Sequence, residues 1–279
     1  MIYHYTTIET LALILESKKI RFNNLTDVDD MLEGDLFEKR SLAQHIFVSC
    51  WSKEKEENIA LWKMYNHGKG VRIGLPSNPW RKVIFDTKEW EEKGVKIQFD
   101  PSQEYISPFE FDDVFGANHM IIPPYFFPNN TAFAKQVEYL SAKELKVKYK
   151  GLYSELMKGK CNIQLSINPL DFGRYKHNRW EFQKEYRFVL FICPLHEKPD
   201  FFQLNSPETI SNTLIDYIKN EKTSPLKDFY VQLADESLRD MEVMVGPLCS
   251  KADEIIIDAL IKKYQLNTSL INSEASIRK

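Results

Sequence analysis

The sequence predicts one α+β domain over residues 1–279, carrying an insertion at about 101–160. Three observations lead there. A strand-like segment, residues 2–5, runs directly into an amphipathic helix, so strands and helices are mixed from the start. The strongest strand, residues 185–193, lies late in the chain and is bounded by Pro194. No repeat, linker or low-complexity run divides the 279 residues, a length that at roughly 150 residues per domain fits one to two domains. A chain this long can bury a large core without a disulfide or metal staple.

The opening helix is signalled by Thr6 and Glu9, a T-x-x-E capping box. Ile8, Leu11, Ala12 and Leu15 then fall at helical spacing and predict its core face. Strands are expected at residues 20–22, 46–50 and 71–75, and a short helix at 58–66. Residues 23–34 form a polar acidic loop. Residues 101–128 hold five prolines among many aromatics, so regular structure is disfavoured while burial is favoured. This is the ordered insertion. A helix is expected over 131–158, with Phe133, Val137 and Leu140 on one face. Further along, a strand is expected at 163–167, a helix within 201–229 and a strand at 243–245. Ser250 caps a helix through Tyr264, with Ile255 and Ala259, or Ile256 and Leu260, on its faces; a last strand lies near 269–271.

Composition excludes several classes. Hydrophobic residues at 43% and charged residues at 28% are ordinary for a globular chain and argue against disorder. The net charge of -3 gives no sign of a nucleic-acid or anionic-membrane partner. Gly is only 10 of 279, about half the usual share of roughly 7%. No G-x-G-x-x-G or Walker-type loop is present, and Gly68, Gly70 and Gly74 lead into a strand, not a helix. The four cysteines, Cys50, Cys161, Cys193 and Cys249, are far apart, so no metal or redox pair is expected. The first residues lack a basic segment followed by an apolar run, and no stretch approaches 18 apolar residues. The expectation is a cytoplasmic protein of bacterial type with no membrane partner and no metal.

Candidate site residues each carry two readings. His4 lies between Tyr3 and Tyr5 in the first strand, as a structural histidine or a ligand contact. Glu185 opens the strongest strand, where Gln183, Glu185 and Arg187 share a face if the strand starts early enough. The bland reading is a solvated strand end with a Glu–Arg pair. Trp62 and Tyr65 share a helix face, as core packing or as a binding surface. Asp27, Asp29, Asp30 and Glu33 form the acidic loop, as a divalent metal site or as a solvated loop with one carboxylate pairing with an Arg; D-x-D-D-x-x-E lacks the length and glycine placement of an EF-hand.

Taken in order, a first strand with His, a helix with Tyr and a late strand opening with Glu resemble the His–Tyr–Glu class of ADP-ribosyltransferases. A closer likeness is to domain-of-unknown-function family 2971. It rests on Tyr3-His4-Tyr5-Thr6, residues 29–34, Val48-Ser49-Cys50-Trp51-Ser52, Leu61-Trp62-Lys63-Met64-Tyr65 with Lys69-Gly70-Val71, Lys176 with Trp180, Lys184-Glu185-Tyr186-Arg187 and residues 243–247. The loop that reads Asn-Asp-Pro in that family here reads Asp29-Asp30-Met31.

The resemblance implies an ADP-ribosyltransferase-like split β-sandwich with flanking helices and NAD as co-substrate, without a metal. It implies Glu185 as the catalytic carboxylate, holding the nicotinamide ribose and steadying the oxocarbenium ion. His4 would bind an adenosine ribose, with Tyr5, Thr6 and Ser52 beside it, and Tyr65 or Trp62 would stack on nicotinamide. Gln183, Arg187 and Glu33 would support them. The acceptor would be protein, nucleic acid or water. The alternative is a non-enzymatic nucleotide-binding or protein-interaction module, in a defence or toxin system.

Overall fold

The computed structural model describes residues 1–35, 40–95, 104–122, 127–128, 133–158, 169–194 and 226–277, with the single positions 102, 220, 223 and 224. The first half contains β1 (Ile2–Thr6), α1 (Ile8–Ser17), β2 (Lys19–Asn24), α2 (Met31–Asp35), α3 (Arg40–Ala43), β3 (Ile46–Ser52), α4 (Ile59–Asn66), β4 (Val71–Leu75), β5 (Val83–Ile84), α5 (Thr87–Glu92), β6 (Tyr105–Ser107), α6 (Phe111–Val114), β7 (His119–Ile122) and β8 (Phe127–Pro128). The second half contains β9 (Ala134–Gln136), β10 (Glu138–Leu140), α7 (Ala142–Lys158), β11 (Tyr175–His177), β12 (Glu185–Pro194), β13 (Asp228–Gln232), α8 (Asp235–Arg239), β14 (Glu242–Val245), α9 (Lys251–Lys263) and β15 (Ile271–Asn272). The chain is therefore a mixed α/β protein, and no helix among the described residues is long and apolar enough to cross a membrane.

The main sheet has ten strands. Its path runs β13-β2-β3-β1-β4-β14-β15, and β12 branches from β3 to carry β7 and β9. Most pairs are antiparallel, while β14 and β15 run parallel. The branch positions the site. On one side β3 pairs with β12 along its whole length, from Ile46↔Phe191 to Ser52↔Glu185. On the other side it has two neighbours: β2 at Phe47 and Val48, and β1 only at Ser52. Between those contacts β1 and β2 part, and residues 49–51 have no strand neighbour on that side among the described residues.

Several elements form where their residues dictate, with local shifts. The cap of α1 is Thr7, whose hydroxyl accepts from the Thr10 amide at 3.2 Å. Thr6 remains the last residue of β1, so the expected Thr6 cap lies one residue early. The buried stripe of α1 is Leu11, Ile14 and Leu15. The helix expected from residue 131 begins only at Ala142. Ser141 and Glu144 form a capping box there, and Phe133 and Val137 are buried from extended chain instead. In α9 the capping box of Ser250 and Asp253 is present, but the inward face is Ile257 and Ile261. Ile255 and Ile256 stay 62% and 50% exposed.

The aromatic segment after residue 101 joins the body of the protein. β7 and β9 pair directly with β12. Phe133 stacks on Trp80 at 5.8 Å and meets Phe188 edge-on at 5.2 Å. Burying aromatic side chains of this size is the largest apolar gain per residue available to a fold. The expected strand at 163–167 lies outside the described residues. So does most of the helix expected within 201–229, whose last residues Asp228 and Phe229 belong to β13.

Candidate functional site

The parting of β1 and β2 opens a cavity of about 280 Å³. Its walls are Tyr3, His4, Tyr5 and Thr6 of β1, Arg21 and Asn23 of β2, and residues 48–52 of β3. Asp27 and Asp29 come from the acidic loop, Tyr65 from α4, and Lys176, Gln183, Glu185 and Arg187 from the chain around β11 and β12. His4, Tyr5, Thr6, Ser52, Tyr65, Gln183, Glu185 and Arg187 thus meet at one place. Trp62 and Glu33 stand off the wall. Trp62 is wholly buried behind it, edge-on to Tyr5 at 4.8 Å, with its indole N–H donating to Glu57 at 2.8 Å. Of the two aromatic candidates on α4, Tyr65 is the one that reaches the cavity.

His4 sits where β3 lacks a strand neighbour. Its Nδ1 lies 2.9 Å from the Cys50 carbonyl oxygen. A carbonyl only accepts, so Nδ1 carries the proton and Nε2 keeps a lone pair. Burial pushes the His4 pKa down, against the opposing effect of the Cys50 hydrogen bond, and the ring is neutral at pH 7. Trp51 packs on the ring at 5.2 Å.

α4 is placed by both of its ends. Asn58 caps it, accepting from the amides of Ala60 and Leu61 at 3.0 and 3.3 Å. The same side chain donates to the Phe182 carbonyl at 2.6 Å, which ties α4 to the turn carrying Gln183. At the other end His67 takes a left-handed conformation, and Asn66 donates to the Thr6 carbonyl at 3.1 Å. Tyr65 is held 36% exposed, with Gln183 Nε2 3.4 Å from its hydroxyl and Asp29 beside it. Burial raises its pKa, and the neighbouring Cys50, Glu185 and Asp29 push it further, so the phenol stays protonated.

Glu185 follows a short helical turn, Asn178–Gln183, and a left-handed Lys184 at φ 44°. That turn aims the first carboxylate of β12 into the sheet. Glu185 is no solvated strand end, because it is 4% exposed and Arg187 is 0% exposed. Glu185 Oε1 accepts from Lys176 Nζ at 2.8 Å, and Oε2 from Arg187 Nε at 2.5 Å. Arg187 continues in a fork to both oxygens of Glu33, at 2.6 and 2.9 Å. Lys176 also donates to Gln183 Oε1 at 2.7 Å and lies 3.4 Å from Glu33. Two carboxylates and two cations form a neutral buried tetrad. Burial alone would raise the Glu185 carboxyl, but Arg187 and Lys176 outweigh it and hold the group down at about 2. Cys50 nearby is pushed up to about 12 by burial and by Glu185, so it is a thiol and no nucleophile at pH 7.

Lys176 is the member that reading residue by residue missed. Its signal was a lysine between Tyr175 and His177 in a buried three-residue strand. Among the described residues, no group of three or more His, Cys, Asp or Glu side chains could hold a metal ion. Comparison with protein-family models, with characterised proteins and with solved structures finds no match to this chain.

Proposed function

We propose that the cavity binds a pyridine nucleotide and that Glu185 assists cleavage of its nicotinamide–ribose bond, in an ADP-ribosyltransferase or NAD glycohydrolase. The observation that carries this reading is the convergence of His4, Tyr65 and Glu185, from β1, α4 and β12, on one cavity. The parting of β1 and β2 along β3 supports the split-sandwich form of that fold. At about 280 Å³ the cavity lies just below the roughly 300–1,000 Å³ range of ligand sites, so it takes one nucleoside-sized part of the ligand.

The chemistry asks for the groups present. The bond between C1′ and the pyridinium nitrogen breaks, and its electron pair leaves with neutral nicotinamide. Positive charge builds on the ribose until a hydroxyl or water bonds to C1′ and gives up its proton. A fixed carboxylate beside the ribose stabilises that charge. In a cavity of this size His4 Nε2 accepts from a hydroxyl of the nicotinamide ribose, not of the adenosine ribose that the resemblance implies, and the Tyr65 ring attracts the cationic pyridinium.

One observation favours a second reading, a binding module without turnover. Both Glu185 oxygens already face cations, which draws negative charge away from the cavity. Titration with NAD by calorimetry, paired with an assay for free nicotinamide, separates the two. Binding with release supports the enzyme, binding without release supports the module, and no binding removes both. Tyr65→Ala should weaken binding more than Tyr65→Phe; equal losses would assign the contact to the hydroxyl and not the ring.

A further inference from the structure

The charges around the cavity are unevenly spent. Three cations line it: Arg21, Lys176 and Arg187. Each is already engaged. Arg21 pairs with Asp228 at 2.6 Å. Lys176 and Arg187 are taken by Glu33 and Glu185 inside the tetrad. The two carboxylates at the acidic loop, Asp27 and Asp29, have no cationic partner among the described residues. Both are exposed at the cavity wall, and Asp29 lies beside the hydroxyl of Tyr65. The cavity with its ion-pair partners therefore carries two negative charges in excess. The N-terminus of α1, whose Thr10 lines the cavity, offers an anion little: Thr7 already serves the Thr10 amide, and Glu9 sits in the first turn.

From this imbalance we infer that the site selects a cationic, phosphate-free moiety: the pyridinium riboside half of the ligand, with any phosphate left in solvent. The inference rests on the reading of the cavity as a pyridine-nucleotide site and names the part of the ligand that is recognised. A cation entering beside Tyr65 meets this aromatic side chain and the Asp29 carboxylate at its hydroxyl together. A phosphate would approach the same two carboxylates with no free Lys or Arg among the described lining residues to offset them. The oxidised, cationic ring is favoured over the reduced, neutral one on the same grounds.

Calorimetry with five probes tests this: nicotinamide riboside, its reduced neutral form, nicotinamide mononucleotide, NAD, and benzyltrimethylammonium, a cation with no pyridine. The oxidised riboside should bind at least about tenfold tighter than the reduced form, the scale of one close charge interaction in partly screened surroundings. The mononucleotide and NAD should bind no tighter than the riboside. Asp29→Asn and Asp27→Asn, both at exposed positions, should weaken the cations several-fold and leave the reduced riboside unchanged. Equal affinity for oxidised and reduced ribosides, or NAD binding tenfold tighter than the riboside, overturns the inference and leaves the proposed function standing. Binding of benzyltrimethylammonium alone upholds cation selection and removes the pyridine-nucleotide reading. Failure of every cation to bind overturns the inference.

Discussion

At the scale of residues, the tetrad of Glu33, Lys176, Glu185 and Arg187 dominates. Each member is at least nineteen-twentieths buried, so each charge depends on the others and not on water. Removing one partner of such a pair typically costs about 3–5 kcal/mol, because it strands an uncompensated charge. Arg187→Met leaves two carboxylates facing one lysine, and its melting temperature should fall by roughly 10 °C. A fall of a degree or less in a thermal melt would mean that water reaches the cluster. His45 supplies a separate pH dependence. It is fully buried with neither ring nitrogen hydrogen-bonded, and burial lowers its pKa from 6.5 to about 4. The unfolded chain therefore takes up the proton first. Stability from this group is complete above pH 6.5 and is lost as pH falls to about 4, by about 3 kcal/mol in all. In urea melts across that range His45→Leu should lose less stability than the wild type by about that amount; parallel curves would contradict the assignment.

At the scale of elements, the loop after α4 sets the distance between Tyr65 and β1. A Cβ built on Gly70 would stand 2.1 Å from the Thr6 carbonyl oxygen, and one on Gly246 would stand 2.6 Å from that of Gly68. Backbone cannot yield as a flexible side chain does, so Gly70→Ala should shift the end of α4 and cost more than the ~1 kcal/mol of an ordinary glycine replacement. A denaturation midpoint like that of the wild type would refute this close packing. Elements with a strong local cause were legible in the sequence. The strand at 71–75 and the capped helix after Ser250 stand where alternation and capping chemistry put them. The helix expected from residue 131 failed for a local reason too. Phe133, Val137 and Leu140 match helical spacing by chance across two short strands, while the S-x-x-E signal at Ser141 marks the true start.

At the scale of the molecule, long-range pairing decides the site, and this was the least legible part. Nothing local in residues 119–122 or 134–136 announces that both pair with β12. A carboxylate of the acidic loop pairing with an Arg was expected, but nothing local says that it is residue 33 and that the Arg stands 154 positions away. His4, Tyr65 and Glu185 could be named because their residue types and order resemble a known arrangement; Lys176 and Asp29 stood in the motifs and the acidic loop, but only the fold brings them to the same cavity. The central claim is that this fold places Glu185 to assist the loss of nicotinamide. The most direct measurement is free nicotinamide released from NAD by wild-type protein and by Glu185→Gln, side by side, with both shown to be folded and to bind NAD. Wild-type protein should release nicotinamide, and the variant should do so slower by a factor on the order of 10²–10³. Equal rates, or no release by the wild type despite binding, would contradict it.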